Sequence, residues 1–247
     1  MRVLQPSFAG INSRFHLVGI YALASLLMGI AGALADGSAD WFGALLPFLL
    51  VIYAGVTFGI LGTVCHAASG RKDRPPFLRY ATSLFLPLLW LQIKIGLLLG
   101  APTMAIAWFY WSAPGSGLSY PQALERTGFH LQPALLLAAQ VLALYAIPWC
   151  ILGRERGEWR PHIRAGLAFF RSRPAESARL VLLLLGMAVL EGAFAYARGF
   201  ESRSAGPTFA DGLLLLAQSY LDLVAIFGAC LVILTGAREG QTPDLRA

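Results

Sequence analysis

Apolar residues in this chain fall in long unbroken runs, not in the alternating or one-sided patterns of a water-soluble fold. Residues 131–152 and 177–197 are each long enough to cross a hydrocarbon core of roughly 30 Å as a helix. Between them, Arg154, Arg156, Arg160, Arg164, Arg171 and Arg173 crowd a loop diluted only by Glu155, Glu158 and Glu176. Lys and Arg in short loops resist translocation, so this loop is expected on the cytoplasmic side. That assignment fixes the direction of every other run. The pattern predicts an all-α polytopic membrane protein. Its six transmembrane helices are placed at about 16–35, 41–65, 87–111, 131–152, 177–197 and 209–236, with both termini cytoplasmic.

Two further helices are expected along the cytoplasmic interface. The apolar stretch from Tyr80 to Trp111 is too long for one upright span, and Pro87 offers a break. Residues 77–86 therefore read as an interfacial helix preceding the third span. Residues 159–170 place Trp159, Ile163, Leu167 and Phe170 on one helical face, with Arg160, Arg164 and Arg171 elsewhere, the pattern of an amphipathic interfacial helix. Residues 121–127, in the longest external loop, could form a short helix. Gly70-Arg71, then Arg74-Pro75, recurs as Gly153-Arg154, then Arg160-Pro161, and Pro87 and Pro174 begin the spans that follow. Span, basic turn, interfacial helix and span thus occur twice in one orientation, as in a parallel internal repeat.

Composition agrees with this reading and narrows it. Hydrophobic residues make up 57% of the 247 positions and charged residues 13%, against about 25% charged in ordinary soluble domains. The mean hydropathy is +0.64. The formal charge of +6 is a topology signal and not a nucleic-acid-binding face: of 19 Lys and Arg, 15 fall in segments assigned to the cytoplasm and three outside. Arg71, Lys72, Arg74, Arg154, Arg156, Arg160, Arg164, Arg171 and Arg173 are the candidates for docking anionic lipid headgroups or a partner protein on that face. The localisation implied is an integral membrane protein of the bacterial cytoplasmic (inner) membrane. Cys65, Cys150 and Cys230 form no CxxC pair and read as packing residues.

Charges inside spans are costly and commonly face a bundle interior, which makes them functional candidates. They are Lys94, Glu191 and Asp222, joined by the uncharged Gln92, Gln140 and Gln218. Lys94 is the expected counter-charge for one of the acids. Gly55 and Gly59, and Gly96 and Gly100, have the spacing that lets membrane helices approach closely. His16, His66, His130 and His162 lack the spacing of a metal site, and no hydrolase, P-loop or HExxH signature is present, so neither cofactor nor enzyme activity is expected.

Ile147-Pro148, Gly157, Arg164-Ala165-Gly166 and Phe169-Phe170-Arg171 carry a resemblance to bacterial six-span proteins related to the membrane domain attached to some glycerophosphodiester phosphodiesterases. The resemblance covers about 60 residues. It implies an architecture without the phosphodiesterase activity, since the catalytic domain is missing. Two functions are compatible with these features. One is a non-enzymatic membrane subunit docking a partner or anionic lipid through its basic helices. The other is a permease with a polar path through Lys94, Glu191 and Asp222.

Overall fold

A computed structural model describes residues 3–37, 40–71, 77–113, 117, 119–154, 163–198 and 209–238. Nine helices occupy them: α1 (Leu4–Asn12), α2 (Phe15–Gly37), α3 (Asp40–Ala68), α4 (Phe77–Ser83), α5 (Phe85–Ser112), α6 (Tyr120–Arg154), α7 (Ile163–Ser172), α8 (Pro174–Arg198) and α9 (Phe209–Arg238). Six of them, α2, α3, α5, α6, α8 and α9, are long and apolar enough to cross a membrane. The protein is an all-α, polytopic integral membrane protein. Residues 121–127 form no separate helix, because α6 runs without interruption from Tyr120 into its apolar stretch.

Proline decides where the short helices end. Pro87 has no N–H to offer the Ser83 carbonyl, so the helix loosens one turn earlier. α4 therefore stops at Ser83, and α5 begins at Phe85 with Pro87 in its first turn. The break falls three residues before the position read from the sequence, for the same physical reason. Pro174 acts likewise: α7 ends at Ser172 and α8 starts on the proline itself, a favoured first helical position.

Helices α3, α6 and α9 meet at the centre, and α2, α5 and α8 fill the gaps around them in the cyclic order α9, α2, α3, α5, α6, α8. Burial follows this division. The apolar stretches of α9, α6 and α3 are 67, 44 and 33% buried, against 28, 22 and 17% for α8, α2 and α5. Each central helix carries one short helix: α4 on α3, α7 on α6 and α1 on α9.

The described helices group into three units, each of a central, a short and a peripheral helix: α3, α4 and α5; α6, α7 and α8; and α9, α1 and α2. Three buried aromatics mark corresponding points. Phe58 packs edge-on to Phe85 at 5.8 Å. Tyr145 lies 5.8 Å from Phe169 and 5.0 Å from Phe170. Phe227 fills the space beside Gly10. Each short helix rests on residues inside a span's apolar stretch.

The close approaches are between span and short helix. A Cβ on Gly62 would sit 2.5 Å from the Tyr80 ring, and one on Gly59 would sit 2.5 Å from the tip of Phe77. Tyr80 also hydrogen-bonds His66 Nδ1 at 3.0 Å. At Gly55, Gly96 and Gly100 an added Cβ would meet nothing within 4 Å. Cys65, Cys150 and Cys230 form no disulfide and are buried, one on each central helix.

Candidate functional site

Five residues before each of the three aromatics stands a polar side chain: Tyr53 on α3, Gln140 on α6 and Asp222 on α9. Gln140 Nε2 donates to Asp222 Oδ1 at 2.8 Å, and the Tyr53 hydroxyl pairs with Ser25 of α2 at 3.2 Å. Between the helices lies a cavity of about 120 Å³ to which all six spans contribute. Its polar lining is Tyr21, Thr57, Gln92, Gln140 and Asp222, and its walls are Leu, Ile and Ala side chains. Asp222 lies near the middle of α9, so the cavity lies near the middle of the bundle.

The electrostatics are one-sided. Gln140 turns its amide nitrogen to Asp222, which leaves its oxygen pointing away. That oxygen is buried with no partner. The Thr57 hydroxyl is likewise buried and unpaired, in a residue only 4% exposed. Glu191 on α8 stands near enough for its charge to act on Asp222, and its Oε1 is also buried without a partner. It does not line the cavity.

Lys94 takes no part. It lies on the exposed side of α5, with its ammonium 5.3 Å from the centre of the Trp90 ring. A cation on an aromatic face is a favourable pair, and the long aliphatic stem lets a lysine beside lipid reach toward the headgroups. The counter-charge expected for Asp222 is therefore replaced by the Gln140 amide. Gln92 and Gln140 reach the cavity, whereas Gln218 is half-buried one turn before Asp222 and outside the lining.

At the opposite end of interest, α7 divides its residues cleanly. Ala165, Gly166 and Phe169 are buried against α6, with Phe169 also 5.3 Å from Trp149. Gly166 is needed there, since a Cβ would lie 3.2 Å from the backbone nitrogen of Ala146. Arg164, Leu167 and Arg171 face outward and, with Ala168 and Ser172, line an open groove. On α4, Leu78 and Arg79 face outward in the same manner. Arg71 is exposed and Arg173 half-buried, and Arg154 closes α6. Lys72, Arg74, Arg156 and Arg160 lie outside the described residues, as does the 159–162 part of the helix expected to start at Trp159.

Two features escaped the sequence reading. Helix α1 lies before the first expected span, and Leu4, Phe8 and Ile11 give it a helical apolar stripe. Thr57 carries no charge and sits one turn from Tyr53, so it stood out only once the cavity was visible. Among the described residues no group of three or more His, Cys, Asp or Glu side chains is placed to hold a metal ion. Compared with known family models, curated proteins and solved structures, the chain matches none.

Proposed function

We propose that this protein is a non-enzymatic membrane subunit that engages anionic lipid headgroups through the outward faces of its short helices. The observation that supports this is the two-sided construction of α7: Phe169 and Gly166 fix it to α6, leaving Arg164, Leu167 and Arg171 facing outward. An apolar side chain flanked by arginines suits the boundary between acyl chains and phosphates. Helix α4, with Leu78 beside Arg79, repeats the arrangement. In this reading that end of the bundle is cytoplasmic, in a bacterial inner membrane, and a partner protein docks on the same face. The test is a photoreactive amino acid in place of Leu167. The reading expects cross-links to phospholipid or to one discrete partner chain. A Leu167 site that labels neither, in native membranes, would refute it.

A second reading, a permease, is favoured by the axial cavity. Binding sites built near mid-membrane from several spans are common in transporters. Its path would run through Asp222 and Gln140, without Lys94.

A further inference from the structure

We propose that the axial cavity binds one alkali-metal cation, held by Asp222 with Thr57 and Gln140 as neutral oxygen donors. The inference does not depend on the docking reading.

Charge makes the first argument. Asp222 lines a cavity in the middle of six apolar helices, and a carboxylate there is costly unless it is neutralised or paired. Gln140 supplies one N–H at 2.8 Å but no charge. The lysine that could have supplied it faces outward over Trp90. Glu191 adds a second negative charge nearby. The cavity is therefore a site of negative potential, and no Lys, Arg or His is among its described lining residues.

The donor atoms make the second, independent argument. Thr57 is 4% exposed and its hydroxyl has no partner. Gln140 Oε1 is buried and equally unpartnered, because its amide nitrogen is committed to Asp222. Two orphaned oxygens and a carboxylate, on residues that line one void, are the kind of donor a hard cation prefers. No thiol or imidazole lines the void, which argues against the transition metals that favour sulfur and nitrogen. Calcium takes about six to eight oxygen ligands, more than Asp222, Thr57 and Gln140 offer, so a monovalent ion fits better.

Size makes the third. About 120 Å³ holds an ion and a few waters, whereas sites for organic ligands typically run to roughly 300–1,000 Å³. Water alone would leave a charge on Asp222 unbalanced.

The test is equilibrium binding of radioactive sodium or rubidium to the purified protein in detergent, with choline replacing the ion as the control salt. The expected result is one saturable site per chain, displaced by unlabelled Na⁺ or K⁺ and not by choline, which is too large. Thr57→Val keeps shape and removes one donor, so it should weaken binding about tenfold, the worth of one lost hydrogen-bonding ligand. Asp222→Asn should abolish binding. Lys94→Gln should leave it unchanged. Because Asp222→Asn could disturb folding, Thr57→Val, with its thermal stability checked in choline, decides alone. An affinity unchanged by Thr57→Val overturns the proposal. So does the absence of any saturable site, which would mean that Asp222 is neutralised by a proton. Binding with no flux in reconstituted vesicles would retain the site and remove the permease reading.

Discussion

Gln140 donates from α6 to Asp222 on α9 across 82 residues of sequence, at 2.8 Å and at the axis of the bundle. This bond ties two central helices together and fixes which way the Gln140 oxygen points. Gln140→Leu should destabilise the protein by about 1–3 kcal/mol, because it strands the Asp222 carboxylate. Asp222→Asn preserves an acceptor for Gln140 and should be milder. Unfolding in mixed detergent, run as a double-mutant cycle, should give a coupling of about 0.6–1.7 kcal/mol. A coupling near zero would mean that the bond contributes nothing to folding.

Glycine substitutions should separate the two kinds of small-residue row. Gly62→Ala drives a methyl into the Tyr80 ring and Cβ, at 2.5 and 2.7 Å, and should cost about 1–3 kcal/mol of stability. Gly96→Ala and Gly100→Ala enter open space and should be neutral or stabilising by up to about 1 kcal/mol, since alanine is the better helix former. Thermal denaturation of the purified variants ranks them directly. Equal losses at Gly62 and Gly96 would show that α5 packs on something other than its neighbours here.

Lys94 should behave as a surface residue. Lys94→Gln is expected to leave abundance and melting temperature unchanged. Lys94→Glu combined with Asp222→Lys should accumulate no better than Asp222→Lys alone, because the two side chains are not partners. Rescue in the double variant would place Lys94 at the axis.

The three-unit architecture predicts tolerance of a particular rearrangement. Linking the end of α9 to the start of α1 and opening the chain between α2 and α3 makes α9, α1 and α2 contiguous, so that each unit reads central, short, peripheral. Val3, just before α1, already lies against the α9 position of Gly228. The permutant should insert and melt within a few degrees of the parent. Failure to fold, with each unit's sequence intact, would argue that α1 and α9 do not form one.

The spans and the two later short helices were legible because length, apolarity and proline act locally. Leu84 as the break, instead of Pro87, follows once the missing N–H is traced back one turn to Ser83. What lies between helices was less legible. α5 is apolar around its whole circumference, so nothing in its periodicity says which side Lys94 takes, and the peripheral position of α5 decided it. The third unit was hidden because the chain ends cut it, placing α1 and α9 at opposite ends of the sequence. Gln140 and Asp222 were both singled out as polar, but their pairing depends on a register shared by helices far apart in the chain.

The docking function rests on Arg164 and Arg171 as headgroup ligands, and native mass spectrometry of the protein released from mixed-lipid nanodiscs tests it most directly. The wild type should retain phosphatidylglycerol or cardiolipin in preference to phosphatidylethanolamine. Arg164→Gln with Arg171→Gln should lose that preference while keeping the fold, since both side chains are exposed. Equal retention of anionic and zwitterionic lipid by the wild type, or an undiminished preference in the double variant, would contradict it.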